Sequence, residues 1–155
     1  MPKGVKLMEI VCRKGLFGLL SGVLFLAAFT SAAADQGLEF SDAWVRAMPP
    51  GAGMTAAFGR LVNGGQEALE ITGFTSPSFG DVSLHRTELV DGVSKMREVP
   101  ALSIAPGEVV ELNPGGYHLM LMMPKEEFLP GGHITVVMTA SGGSSFRFDL
   151  PVQRR

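Results

Sequence analysis

Glycine and proline break this chain at short intervals, and that spacing limits what it can fold into. Pro49-Pro50-Gly51, Asn63-Gly64-Gly65, Ser76-Pro77, Asp91-Gly92, Pro106-Gly107, Pro114-Gly115-Gly116, Pro130-Gly131-Gly132 and Gly142-Gly143 separate apolar runs of a few residues each. Such clusters open turns and end helices. No stretch between them sustains a helical period, so short strands are what remains. The candidate strands are Leu38–Arg46, Thr55–Val62, Ala68–Thr75, Val82–Leu89, Ser94–Val99, Val109–Leu112, Tyr117–Met122, Ile134–Thr139 and Phe146–Leu150. Their number and spacing predict an all-β domain, a Greek-key β-sandwich or barrel.

The first 34 residues read differently. Lys3, Lys6, Arg13 and Lys14 precede an uncharged run, Leu16 to Thr30, which is followed by Ser31-Ala32-Ala33-Ala34. A basic n-region, an apolar h-region and a small-residue site make a cleavable secretory signal. The run is short for a membrane span, which needs about 20 residues. The expectation is cleavage after Ala34, leaving one domain over residues 35–155 with no stable membrane insertion. The only cysteine, Cys12, precedes the apolar run and is not placed as a lipoprotein acylation site, which would follow it. The domain is then free of disulfide and thiolate.

Export also changes the charge. The chain has 13 basic and 15 acidic residues, and the leader removes four bases and Glu9, leaving 9 against 14 and a net charge of −5. That balance argues against nucleic acid or an anionic membrane surface as a partner.

The soft side chains of the domain are few and unevenly placed. His85, His118 and His133 are its histidines; Met48, Met54, Met96, Met120, Met122, Met123 and Met138 its methionines. Asp91-Gly92 is a strong two-residue hairpin signal. With that turn, Val90 faces Val93, Met96 lies opposite Thr87, and His85 opposite Glu98. His85 and Met96 are then diagonal neighbours on one face, about 7–8 Å apart and within reach of a long side chain. Val82 and Leu84 occupy the opposite, core-directed face, so His85 and Met96 look outward or toward a rim. In Tyr117–Met123, alternation sends His118, Met120 and Met122 one way and Tyr117, Leu119, Leu121 and Met123 toward the core.

Taken singly, these residues fit ordinary roles as well. A strand histidine is commonly a hydrogen-bonded rim residue, and a methionine stripe commonly fills a core. His133, which follows Gly131-Gly132 with no soft neighbour, reads as structural. Met122, Met123 and Met138 read as packing. Two histidines, each with a methionine at β-compatible spacing, together point to a soft metal site. Thioether and imidazole suit Cu(I), whereas calcium, magnesium and manganese want oxygen. Such a neutral set would lose metal as its imidazoles protonate.

At these residues the sequence resembles the PCu(A)C family of periplasmic copper(I) chaperones. The family pattern is His, ten residues, Met, twenty-one residues, His, any residue, Met; His85, Met96, His118 and Met120 match it without a gap. "AWVRAMPPG" (43–51), "AAF" (56–58), "MREV" (96–99) and "PGGYHLMLM" (114–122) are also similar to the family. Many members have Met directly after the aromatic of "AAF"; here Gly59 stands there. The resemblance covers about Ser41 to the C-terminus. It implies a cupredoxin-like fold and a monomeric periplasmic carrier of one Cu(I), held near the surface by His85, Met96, His118 and Met120. It further implies delivery to a copper acceptor, the binuclear copper site of cytochrome c oxidase, often alongside a thiol-based copper chaperone.

Other classes fare worse. An electron-transfer cupredoxin needs a cysteine ligand, and residues 35–155 have none. A copper oxidase would want spare histidines, and only His133 is left over. No G-x-S-x-G marks a hydrolase elbow, so an enzyme is not expected. The remaining alternative is a metal-free interaction β-sandwich of the cell envelope, in which His85→Ala would be silent.

Overall fold

A computed structural model describes residues 37–155, all of whose regular elements are strands. The expected leader and Cys12 lie outside the described residues. Ten strands follow in chain order: β1 Leu38–Arg46, β2 Met54–Asn63, β3 Leu69–Thr75, β4 Phe79–Val90, β5 Val93–Glu98, β6 Leu102–Ile104, β7 Val109–Leu112, β8 Tyr117–Pro124, β9 His133–Ala140 and β10 Ser145–Gln153. They hydrogen-bond in the order β5-β4-β8-β7-β2-β1-β10-β9-β3-β6, with β8 also pairing β2. Two mostly antiparallel groups, β5 to β1 and β10 to β6, join through the short parallel pairing of β1 with β10.

Alternation builds the core. Ile134, Val136, Met138 and Ala140 of β9 are buried, while Thr135, Val137 and Thr139 between them are only partly so. Leu119 and Leu121 of β8 and Val82 and Leu84 of β4 supply the facing wall, and all belong to one apolar cluster. Each such side chain, fully buried, contributes about 1.5–3 kcal/mol.

Two backbone devices position the site. Asp91 and Gly92 have φ of 53° and 74°, the positive pair a tight hairpin turn requires. The register that follows is Val90↔Val93, Thr87↔Met96 and His85↔Glu98, as the turn chemistry predicts. The second device lies where the pairing of β1 with β2 shifts between Ser41 and Trp44. Gly59 faces that bulge with φ 147°, and a Cβ there would meet Ala43 Cα at 2.7 Å. A methionine at this position, as in many PCu(A)C members, does not fit this backbone.

Three sequence expectations change. The strand β6 falls in none of the predicted runs: it is three residues long, and prolines flank it. Its anchor is remote, the buried Asn63 amide donating from Nδ2 to Ile104 O at 2.9 Å. The strand β4 begins at Phe79 rather than Val82. Met123, expected in the core, has φ 55° and is 61 % exposed. The left-handed residue breaks the alternation of β8 where the chain leaves the sheet.

Candidate metal centre

The strand β4 is the middle of the site because it pairs on both sides. One side is the β5 hairpin; the other is β8, in the register His85↔His118 and Ser83↔Met120. The two histidines are therefore directly opposite, with ring centroids 6.1 Å apart. Met96 sits across from Thr87, two residues one way from His85. Met120 sits across from Ser83, two residues the other way. Cross-strand partners share a face, so all four sequence-predicted residues lie on one side of the β5-β4-β8 ribbon. Met96, His118 and Met120 line one cavity of about 270 Å³. His85 is not on its lining and joins through the His118 ring.

The imidazoles are oriented by their neighbours. His118 Nδ1 lies 3.1 Å from Gly116 O. A carbonyl only accepts, so Nδ1 carries the proton and Nε2 keeps a bare lone pair. His85 Nε2 lies 3.1 Å from Ser83 Oγ; with the hydroxyl accepting, Nδ1 is bare. Those two nitrogens, His118 Nε2 and His85 Nδ1, are buried with no hydrogen-bond partner. A buried polar atom without a partner is costly and calls for an explanation.

Burial lowers the pKa of His118 below its ordinary 6.5; the Gly116 carbonyl opposes this, and the charges of His85 and Arg46 add to it. The ring is thus neutral at pH 7, the only form that can ligate. Exposure is graded across the set: His118 is 3 % exposed and Met96 53 %. Among the described residues no three of His, Cys, Asp and Glu converge, so the donor set owes its character to the thioethers.

Several neighbours were not assigned a role from the sequence. Phe58 lies beside the His118 ring at 6.3 Å, and Trp44 beside Phe58 at 4.9 Å. The Arg46 guanidinium stands 5.0 Å over Phe58. Met48 and Met54 line the same cavity as Met120. Alternation within β2 puts Met54, Ala56 and Phe58 on one face, but only the long-range pairing with β8 shows what that face meets. His133 is exposed at the start of β9, and Met138 is core, the latter as expected.

The fold and the face it presents define a class, that of the PCuAC domains. The copper-bound PCuAC domain from PmoF2 superimposes with a TM-score of 0.62 at 19 % identity, over 76 % of this chain and 93 % of that domain. The solution structure of Cu(I)-DR1885 from Deinococcus radiodurans matches with a TM-score of 0.62 at 27 % identity, over 79 % and 84 %. The sequence profile of the family described as "Putative lipoprotein LpqE-like" spans residues 38–152, and the chain belongs to that family. A relative from Leifsonia xyli subsp. xyli, "Putative lipoprotein Lxx21020", is 36 % identical over 141 residues, 89 % of this chain and 84 % of that protein.

Proposed function

We propose that this protein is an exported copper(I) chaperone that binds one Cu(I) through His85, Met96, His118 and Met120 and hands it to an acceptor protein. One observation carries the reading: two buried imidazole nitrogens lack partners on a face that also bears Met96 and Met120. A soft monovalent cation satisfies both at once, and thioethers complete its preferred shell. The Cu(I)-bound DR1885 structure supports Cu(I) as the metal.

The gradient of exposure suits a carrier rather than an enzyme. His118 anchors from the buried side, while Met96 sits on a strand exposed at every residue. An acceptor's ligand attacks the metal from that open side, and Met96 departs first. The acceptor this reading favours is the binuclear copper site of cytochrome c oxidase, with a thiol-based chaperone as co-worker. The compartment is the periplasm, where a thioether–imidazole set offers no thiolate to oxidise.

The test is competition for Cu(I) against a chromophoric chelator. The wild type withdraws one equivalent, and a His85→Ala, Met120→Ala double variant withdraws far less. Equal competition by the two removes the ligand assignment and leaves the metal-free sandwich in its place.

A further inference from the structure

The cavity beside Met120 holds more thioether than one copper needs. Met54 lies directly opposite Met122 in the β2–β8 pairing, and Ala56 opposite Met120. Met54 and Met120 are thus diagonal neighbours, while Met54 and Met122 have Cβ atoms about 4.5–5.5 Å apart. Met48, from the chain between β1 and β2, lines the cavity with Met54 and Met120. Packing does not account for Met54, which is 57 % exposed. Buried Met138, wholly covered in the core, shows what a packing methionine looks like here.

We infer that Met48, Met54 and Met122 form a second, weaker Cu(I) position beside the first, a landing site through which the metal enters or leaves. This rests on the Cu(I)-carrier reading above. Three neutral thioethers suit Cu(I) and are poor ligands for hard divalent ions. They also bind more weakly than a set with two imidazoles, as a transit position must. Met120 lies between the two sets, so a copper passing from one to the other keeps a sulfur within reach. Asp81 is the β4 partner of Met122; its carboxylate at the end of this row favours a cation. Arg46, which also lines the cavity, has its guanidinium 5.0 Å over the ring of Phe58, four residues along β2 from Met54. The loop carrying Met48 is tied down by Ala52 N–H donating to Pro49 O at 3.1 Å and Met123 N–H to Gly53 O at 3.0 Å.

The test is an anaerobic titration of the full domain with Cu(I), followed by chelator competition and by NMR of methionine methyl groups. The first equivalent shifts the methyls of Met96 and Met120. The second, held roughly a hundredfold more weakly, shifts those of Met48, Met54 and Met122. A Met48→Leu, Met54→Leu variant loses the second equivalent, whereas Met123→Leu keeps it. Saturation of the wild type at one equivalent, or a second equivalent retained by the Met48→Leu, Met54→Leu variant, overturns this inference while the carrier reading stands. No uptake at all overturns both.

Discussion

The strands β8 and β9 make an instructive pair. Each has eight residues, one histidine near its start and methionine in its body. In β9, Met138 is wholly buried and His133 is exposed at the tip. In β8, His118 is buried with a bare nitrogen, and Met120 is half-buried on the same face. The difference lies in the neighbours. The soft face of β8 meets His85 on one side and Phe58 on the other. The buried face of β9, Ile134, Val136, Met138 and Ala140, belongs to the apolar core cluster. The side chain supplies the chemistry, but the cross-strand partner decides whether it is used.

Substitutions can break this comparison at either strand. Met138→Ala leaves a cavity in the core and lowers unfolding stability by about 2–5 kcal/mol, measured by denaturant titration. Met120→Ala, at a half-buried site, should lower it by less than half as much. A result in which Met120 matters more for folding than Met138 would reverse the assignment of the two strands.

The histidines differ next. His118→Ala should weaken Cu(I) binding at least 100-fold, the upper end of what loss of a mere outer-shell partner costs. His133→Ala should leave the binding isotherm unchanged. Comparable losses in both variants would mean that the copper position lies elsewhere.

Met96 sharpens the contrast within the site itself. It is exposed on an edge strand, so Met96→Ala should weaken Cu(I) by roughly tenfold, less than His118→Ala, with unfolding stability within about 0.5 kcal/mol of wild type. A loss of stability beyond that would show that β5 packs more firmly than its exposure indicates.

The smallest effect is on pH dependence. His118 has a lowered pKa in the folded chain, chiefly from burial. Below its ordinary value of 6.5, the unfolded chain takes the proton first, so acid favours unfolding. Stability of the metal-free protein should be full above that pH and decline as pH falls toward the folded pKa. His118→Phe should flatten the decline, and His133→Phe should not. Thermal melts across the range would decide it.

How much of this was legible in the sequence depends on how local the cause is. The register of His85 and Met96 follows from Asp91-Gly92, a turn whose φ values two adjacent residues determine. The alternation of Leu119 and Leu121 is equally local. The direct pairing of His85 with His118 is not, because the chain between them passes through β5, β6 and β7 first. The spacing of the four residues, with the family resemblance, named a set that the β5-β4-β8 pairing brings onto one face, but not its geometry. Met123 escaped because a single left-handed residue ends the alternation. Close contact with Gly80, where a Cβ would meet Met123 Cβ at 2.9 Å, shapes that end of the strand. The β6 strand escaped because a buried amide forty-one positions away holds it.

The row of rings from Trp44 through Phe58 to His118 has a practical side. The chain has a single tryptophan, and only one ring stands between its indole and the His118 imidazole. Indole emission responds to heavy, electron-rich neighbours and to small shifts of packed rings. Metal taken up at His118 would therefore register in the indole emission through Phe58, readable without a label during a titration.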